Sequence, residues 1–254
     1  MKILKTVFTN WIACVSFLLI WELAARLGLV NPMFIPPFSA VLAAIGKLLA
    51  AGTLLPHIAI SLQRSLGGLA VAVVIGIPLG FIMGGWFSKL EKVLNPLFEL
   101  AAQANPYILF HIIILFLGIG EAAKLAIIAW ICIWPVLFNT AAGIRHMDAD
   151  LLKAARSFGL TRWPLFYKVV LPAAGPAIFT GLRLSAGYSF FLLIAAEMMG
   201  SSSGLGWFLL LSQENYNVEW IFAGAVVIAV LSITIDTVFK YLERKIVICP
   251  AGCR

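Results

Sequence analysis

Charge is scarce in this chain. Of its 254 residues only 11% are Asp, Glu, Lys or Arg, and 62% are hydrophobic. A soluble domain carries about 25% charged residues. The mean hydropathy is +1.03. Such a composition leaves too little polar surface to cover a core in water. It excludes a soluble enzyme, a disordered chain and a free nucleic-acid-binding domain. Histidine is limited to three residues and cysteine to four. Cys14 and Cys132 lie in apolar runs, where cysteine packs as a small hydrophobe. Cys249 and Cys253 sit in the tail as C-P-A-G-C with no histidine nearby, which makes neither a disulfide framework nor a metal motif. No G-x4-G-K-[ST] phosphate loop is present, so the chain lacks that means of binding ATP. It also lacks an H-E-x-x-H motif and paired catalytic carboxylates, which argues against an intramembrane enzyme.

What is abundant is apolar length. At about 20 residues per crossing, the chain has room for about five to seven membrane helices in one bundle. The sequence predicts an all-α polytopic membrane protein, residues 1–254 forming a single domain. Six stretches pass the length test: Trp11 to Leu29, Ser65 to Phe87, Pro96 to Leu117, Ala123 to Ala142, Ala177 to Met199, and Val218 to Phe239. The first has Glu22 and Arg26 where a signal peptide needs small residues, so it is expected to remain as an anchor. Ser39 to Leu55 is apolar but interrupted by Lys47 and closed by Pro56, and is read as an interfacial helix. With the N-terminus inside, thirteen Lys and Arg flank the spans on the inner side and four on the outer. That bias places both termini in the cytoplasm.

The 34 residues from Gly143 to Pro176 are the most informative stretch. Asp148 is placed to cap one helix, and Gly159 to end it in the left-handed conformation. Thr161 is placed to cap a second helix, which Leu171-Pro172 is expected to stop. Leu151, Leu152, Ala155 and Phe158 share an apolar face. A short helix pair held between two spans either lies on lipid or docks on a soluble partner. The small residues Ala154, Ala155 and Gly159 suit close approach by a partner backbone; periodicity alone leaves both alternatives open.

The spacing Lys153-Ala154-Ala155, three residues, Gly159, nine residues, Val169, one residue, Leu171-Pro172 resembles the E-A-A-x3-G-x9-I-x-L-P loop of bacterial ABC-importer permeases. The flanking text A-A-R-S-F-G-L-T-R-W, V-V-L-P-A-A-G-P, T-G-L-R-L-S-A-G, L-F-L-G-I-G-E-A-A-K and G-L-G-W is similar to the nitrate/sulfonate/taurine branch of that family. The likeness runs from about Phe34 to Arg244. Two departures stand out. Lys153 replaces the usual Glu, and Gln103-Ala104-Asn105-Pro106-Tyr107 stands where the branch often has an Arg and paired prolines.

The resemblance implies a permease homodimer in the bacterial inner membrane, forming the path for a small solute, either a nitrate-, sulfonate-, taurine- or bicarbonate-like anion or a small vitamin precursor. It also implies separate ATPase subunits, which hold the ATP and Mg, and an extracytoplasmic binding protein. No cofactor and no nucleic acid belong to this chain. Lys153, Ala154, Ala155, Gly159, Leu171 and Pro172 fall in the ATPase-coupling loop. The segment Ser201 to Trp207 and the loop after the first span are the expected surface for the binding protein.

Polar residues within spans are functional candidates. Gln103, Asn105, Tyr107, His111, Tyr188 and Glu197 are the candidates for the translocation path, with Ser189 beside them. Glu197 serves either as a gate or as an interhelical tie, and helix-to-helix hydrogen bonding remains the alternative for the whole set. Glu22 with Arg26, and Asp236 with Lys240, are spaced to pair on one helix face. Arg64, Lys89 and Arg183 are expected to snorkel from span ends. The glycines of the second span are read as a close-packing face. The leading alternative class is a self-sufficient secondary transporter or channel, which needs no docking helix and usually shows an internal repeat.

Overall fold

The computed structural model describes residues 2–86 and 88–246, and every regular element among them is helical. Cys249, Cys253 and Arg254 lie outside the described residues. The first helix, α1, spans Lys2–Arg26. Near its end, Glu22 accepts from Arg26 Nε at 2.6 Å, the expected i,i+4 pair. The same carboxylate accepts from the amide (2.9 Å) and hydroxyl (2.8 Å) of Ser39. Ser39 is in the first turn of α2, Phe38–Ala50, so Glu22 also caps that helix, where a negative charge is favoured by the helix dipole.

Helix α2 buries Val41, Ala44 and Leu48, spaced by three and four residues, and at 13 residues is too short to cross a bilayer. Gly52, at φ +69°, turns the chain out of it. Helix α3 then begins at Leu54 and runs to Phe81. Pro56 sits inside its first turn, where a missing N–H costs nothing. The second span thus starts at Leu54 rather than Ser65, and Pro56 opens it instead of closing the stretch before.

A π turn, Ile82–Trp86, prolongs α3. The next long helix beside it, α6 (Glu121–Arg145), runs parallel to it. A Cβ on Gly76 would lie 3.1 Å from the Val136 side chain, on Gly80 2.6 Å from Thr140 Cβ, and on Gly84 2.7 Å from the Ala141 carbonyl. This stripe of glycines every four residues lets the two backbones touch, as expected of it. Parallel neighbours require the chain to return between them. It does so through α4 (Ser88–Ala102) and α5 (Pro106–Leu117), which meet at a 90° bend. The bend follows from Asn105-Pro106. A residue before proline is pushed out of the α region, and Asn105 is extended (φ −62°, ψ 119°) while its side chain accepts from the Tyr107 amide at 3.0 Å.

After α6 come α7 (Ala149–Ser157) and α8 (Arg162–Leu165), then α9 (Leu171–Gly200). A π turn, Phe166–Val170, joins α8 to α9 without a break. Leu171-Pro172 therefore does not stop the second helix of the pair. The ring of Pro172 falls in the first turn after the wide π segment, where its missing amide is tolerated. Residues 163–200 form one 38-residue helix.

Helix α9 packs antiparallel to α6. Ser185 Oγ donates to the Cys132 carbonyl at 2.8 Å, and a Cβ on Gly181 would lie 2.8 Å from the Pro135 carbonyl. Helix α10 (Leu205–Glu214) folds back on α9, and α11 (Val218–Ile246) runs antiparallel to α9. Arg183 Nε of α9 donates to Asp236 of α11 at 2.7 Å, and Asp236 also pairs with Lys240. Arg183 is thus tied to a neighbour rather than snorkelling. This packing puts the end of α11 and the 146–170 segment at the same end of the bundle.

The main core lies between α3, α5, α6 and α9, around Leu69, Phe110, Ile127, Ile128 and Leu193. A second core joins α2, α3, α9, α10 and α11 around Val41, Leu54, Phe190, Leu205 and Phe208. Among the described residues, four helices are long and apolar enough to cross a membrane: residues 54–85, 121–145, 163–200 and 218–245. The bent pair makes a fifth if counted as one span.

The glycine stripe gives a direct test. Gly80→Ala should lower the thermal midpoint in detergent, because overpacking a tight contact costs about 1–3 kcal/mol. Gly175→Ala, where a Cβ meets nothing within 4 Å, should leave it unchanged or raise it. Equal effects at the two positions would refute the tight α3–α6 contact.

Candidate functional site

Three features stand apart from simple packing. The first is a buried charge cluster at the end of the bundle where α6 begins. Glu197 of α9 is wholly buried. Its carboxylate accepts from Arg64 Nη1 at 2.8 Å, from Ser61 Oγ at 2.9 and 2.8 Å, and from the Gly206 amide at 2.9 Å. Arg64 continues to Glu121, Nε and Nη2 each donating at 2.6 Å. Lys124, itself buried, donates to Glu121 at 3.1 Å and to Ser201 Oγ at 2.9 Å. Two cations and two carboxylates thus neutralise each other. Burying a charge is tolerable only with such pairing and hydrogen bonding.

The cluster also explains G-L-G-W. A Cβ on Gly204 would collide with the Glu197 carboxylate, and one on Gly206 with the Ile194 carbonyl. Only glycine lets this backbone come close enough for the Gly206 and Leu205 amides to reach Glu197 and Ser61. Gly204, at φ +108°, also needs the freedom that glycine alone has.

The second feature is a cavity of about 400 Å³ in the elbow of the α4–α5 bend, against α6 and α9. Tyr107, Trp134, Tyr188 and Phe191 bring aromatic rings to it. Tyr107 and Tyr188 are about half exposed. A separate cavity, also about 400 Å³, lies toward the Arg145 end and carries Asn95, Glu99, Asn139 and Arg145.

The third feature is α7 and the turn after it. Asp148 Oδ1 accepts from the Asp150 amide at 2.9 Å, the expected cap. Gly159 ends the helix at φ +76°. Leu151 and Phe158 are exposed, Phe158 at 86%. Lys153 is exposed and pairs with Asp150 at 2.9 Å. Ala154 is exposed too, whereas Ala155 is buried against the chain itself, so the two small residues are not both open to a partner.

This architecture has counterparts among known proteins. Residues 76–248 match the family model described as the binding-protein-dependent transport system inner membrane component. The chain belongs to that family. The taurine transport system permease protein TauC of Escherichia coli (strain K12) is 32% identical to it, over 90% of this chain and 85% of its own length. The putative aliphatic sulfonates transport permease protein SsuC of Bacillus subtilis (strain 168) is 32% identical, over 89% and 82%. The bicarbonate transport system permease protein CmpB of Synechococcus elongatus is 33% identical, over 73% and 67%. In fold, the chain is similar to a chain of the MetNI methionine ABC transporter in inward-facing form. The TM-score is 0.65 at 18% identity, covering 73% of this chain and 92% of that one. The chain is therefore an ABC permease, a transport component with membrane helices.

Within this permease the residues read as path candidates part company. Tyr107 and Tyr188 share the aromatic cavity. Gln103 and Asn105 are exposed at the bend, Asn105 serving as the cap of α5. His111 is exposed and its Nδ1 donates to the Tyr107 carbonyl at 2.7 Å. Glu99, on the other arm of the 90° bend, lines the second cavity instead. Ser189 is buried and paired with Ser65 at 2.8 Å, away from either cavity. Glu197 is tied between helices. Arg64 is 7% exposed and ion-paired rather than snorkelling.

Sequence reading missed Ser61, Arg64, Glu121 and Lys124 as one unit, and Trp134 as a cavity wall. A signal was available: Ser61 and Arg64, and likewise Glu121 and Lys124, lie three apart on one helix face at the start of long spans.

Removing Glu197 should be costly. Glu197→Ala removes the buried counter-charge of Arg64 and leaves it ion-paired only on its Glu121 side, a loss of up to about 3–5 kcal/mol for a broken buried pair. Glu121→Ala should cost less, since the Glu121 side chain is 58% exposed and water can replace it. Thermal unfolding in detergent checks the order; a larger effect at Glu121 would contradict the assignment of Glu197 as the buried anchor.

Proposed function

We propose that this permease is the membrane subunit of an ATP-driven, binding-protein-dependent importer of a small solute. Two copies enclose the path, with α1 and the bent α4–α5 pair completing six spans in each. Both termini and the 146–170 segment face the cytoplasm of a bacterial cell. The chain hydrolyses no ATP. Separate ATPase subunits, carrying ATP and Mg, grip α7 through Lys153, Ala154 and the turn at Gly159, and Ala155 holds that helix to its own chain. An extracytoplasmic binding protein delivers the solute at the other end. There the loop after α1 and the α10–α11 turn meet, with Met33 and Tyr216 lining one depression.

The observation that carries this reading is the union of α8 and α9. Helix α7 presents exposed apolar and charged side chains at one end of the bundle. The chain then enters a helix unbroken from Trp163 to Gly200. At 1.5 Å per residue that lever is about 57 Å long. Leu171 and Pro172 lie on it, so a displacement of the docked segment is passed to α9 instead of being lost in a loop. Near its far end sits Glu197, bound to α3 and to the first turn of α10. The aromatic cavity lies partway along, where Tyr188 of α9 faces Tyr107 of the bent pair. Rocking of α9 therefore reshapes the cavity and loads the charge cluster together. The two states would be biased by differential binding of the ATPase and of the solute.

Relatives named for sulfonate, taurine and bicarbonate transport support a small solute. Gln103, Asn105, Tyr107, His111 and Tyr188 remain the path candidates in this proposal. Glu197 is the tie that limits how α9 moves.

The test is assembly and coupling. The full-length permease should co-purify with an ABC ATPase from its host and, with the binding protein, support ATP-dependent uptake into proteoliposomes. Gly159→Val forces a β-branched residue into a left-handed conformation, at a cost of about 1–3 kcal/mol. It should weaken co-purification or uncouple hydrolysis from uptake. Gly159→Asn, which tolerates that conformation, should retain both. Uptake that follows an ion gradient with no ATPase present would refute the importer reading.

A further inference from the structure

The chain enters α10 through three successive amides, and side chains of other helices accept from each of them. The Gly204 amide donates to His57 Nδ1 at 3.1 Å, the Leu205 amide to Ser61 Oγ at 2.9 Å and the Gly206 amide to Glu197 at 2.9 Å. The first amides of a helix have no partner within it, so these acceptors tie α10 to the bundle at that end. His57 and Ser61 lie one turn apart on α3, and Glu197 comes from α9. The His57 ring also packs on α10, its centroid 5.3 Å from that of Trp207 and 5.9 Å from that of Phe208.

The three acceptors differ in what a proton does to them. A backbone N–H only donates, so the Gly204 contact requires an unprotonated Nδ1 and places the hydrogen of the neutral ring on Nε2. Of the three side chains, histidine is the type that ordinarily gains its proton between about pH 8 and about pH 5. On Nδ1 that proton would turn the acceptor into a donor aimed at a donor. It would also set a positive charge at the start of α10, the end where the helix dipole disfavours one. The charged groups around the ring offer no bond in exchange. Glu197 attracts a protonated His57, but its carboxylate is already occupied by Arg64, Ser61 and the Gly206 amide. Arg64, two turns further along α3, is a competing cation, and Glu121 of α6 is shared between it and Lys124. Glu214, the charged residue of α10, is at the opposite end of that helix, and Lys47, the charged residue of α2, is exposed.

We propose that His57 is a proton-operated latch on α10. Neutral, it holds the Gly204 amide and keeps the first turn of α10 against α3; protonated, it lets that turn go. The effect reaches beyond one hydrogen bond. The residues just before Gly204 are held by Arg64, through Ser203, and by Lys124, through Ser201, and α10 leads on to the exposed Tyr216. Acid on this side of the membrane therefore loosens the clasp around Glu197 and shifts the surface at the α10–α11 turn. The latch belongs to the folded permease and operates whatever solute is carried and whatever drives it.

Amide hydrogen exchange on the full-length permease in detergent reads the latch directly and needs no variant. From about pH 8 to about pH 5, after correction for the intrinsic exchange rate, protection of residues 204–206 should fall about threefold to tenfold, the worth of one neutral hydrogen bond. His57→Asn puts a carboxamide oxygen near the position of Nδ1, an acceptor at every pH, and should hold protection constant. His57→Phe keeps a ring against Trp207 and Phe208 but accepts nothing. It should show the low protection at both ends of the range, whereas a ring needed for packing alone would leave protection as in the wild type. Thermal unfolding should follow the same order, the wild-type midpoint dropping on acidification by about 2–4 °C more than that of His57→Asn. Unchanged wild-type protection of residues 204–206 on acidification, an equal pH response in wild type and His57→Asn, or wild-type protection in His57→Phe at the alkaline end would overturn the proposal.

Discussion

A carboxylate without water must be satisfied by the protein, and Glu197 is such a carboxylate. Its demands organise one end of the bundle. Arg64 and Ser61 bring α3 to it, the Gly206 amide brings α10, and Arg64 carries the link on to Glu121 of α6. The glycines at 204 and 206 exist in service of that approach. Because charge is balanced within the cluster, it resists insertion of any further ion. It is therefore a structural clasp across four helices, and the motion of α9 has to be consistent with it.

The opposite end is built on a different principle. There α7 leaves Leu151 and Phe158 in the open and holds only Ala155 inside. The helix is short, capped by Asp148 and closed at Gly159, and so it is local in its stability. What makes it mechanically relevant is the π turn at 166–170. A wide turn absorbs Pro172 without ending the helix, so the segment that follows α7 is stiffly continuous with the membrane span. One end of α9 is thus exposed to a partner, the other is clasped, and its middle borders the aromatic cavity.

The walls of that cavity differ from both ends in carrying no charged side chain among the described residues. Proline shapes it twice. Pro106 sets the 90° bend that opens the elbow, and Pro135 withholds an amide from the α6 backbone on the facing wall. Broken and unsatisfied backbone is tolerated at membrane depth where it faces protein or a cavity rather than lipid. The same residues that interrupt the helices therefore help to shape the space.

Much of this protein was legible in the sequence wherever the governing distance is short along the chain. Apolar runs located four of the six expected spans as long helices, four-residue spacing set the Glu22–Arg26 and Asp236–Lys240 pairs, Asp148 and Gly159 set the limits of α7, and the glycine stripe set the closeness of α3. These follow from the helical repeat and from the conformational limits of glycine and proline, which operate within a turn or two. The tertiary structure alone decided that Arg64 meets Glu197 across 133 residues, that Ala155 turns inward, that Leu171-Pro172 lies within a continuous helix, and that Trp134 joins Tyr107 and Tyr188 around one space. Such contacts depend on which faces of separate helices are pressed together, and a helix in an apolar bundle offers several faces of nearly equal hydrophobicity. The choice among them is made by packing and by the pairing of a few buried charges, and neither leaves a periodic mark in the chain.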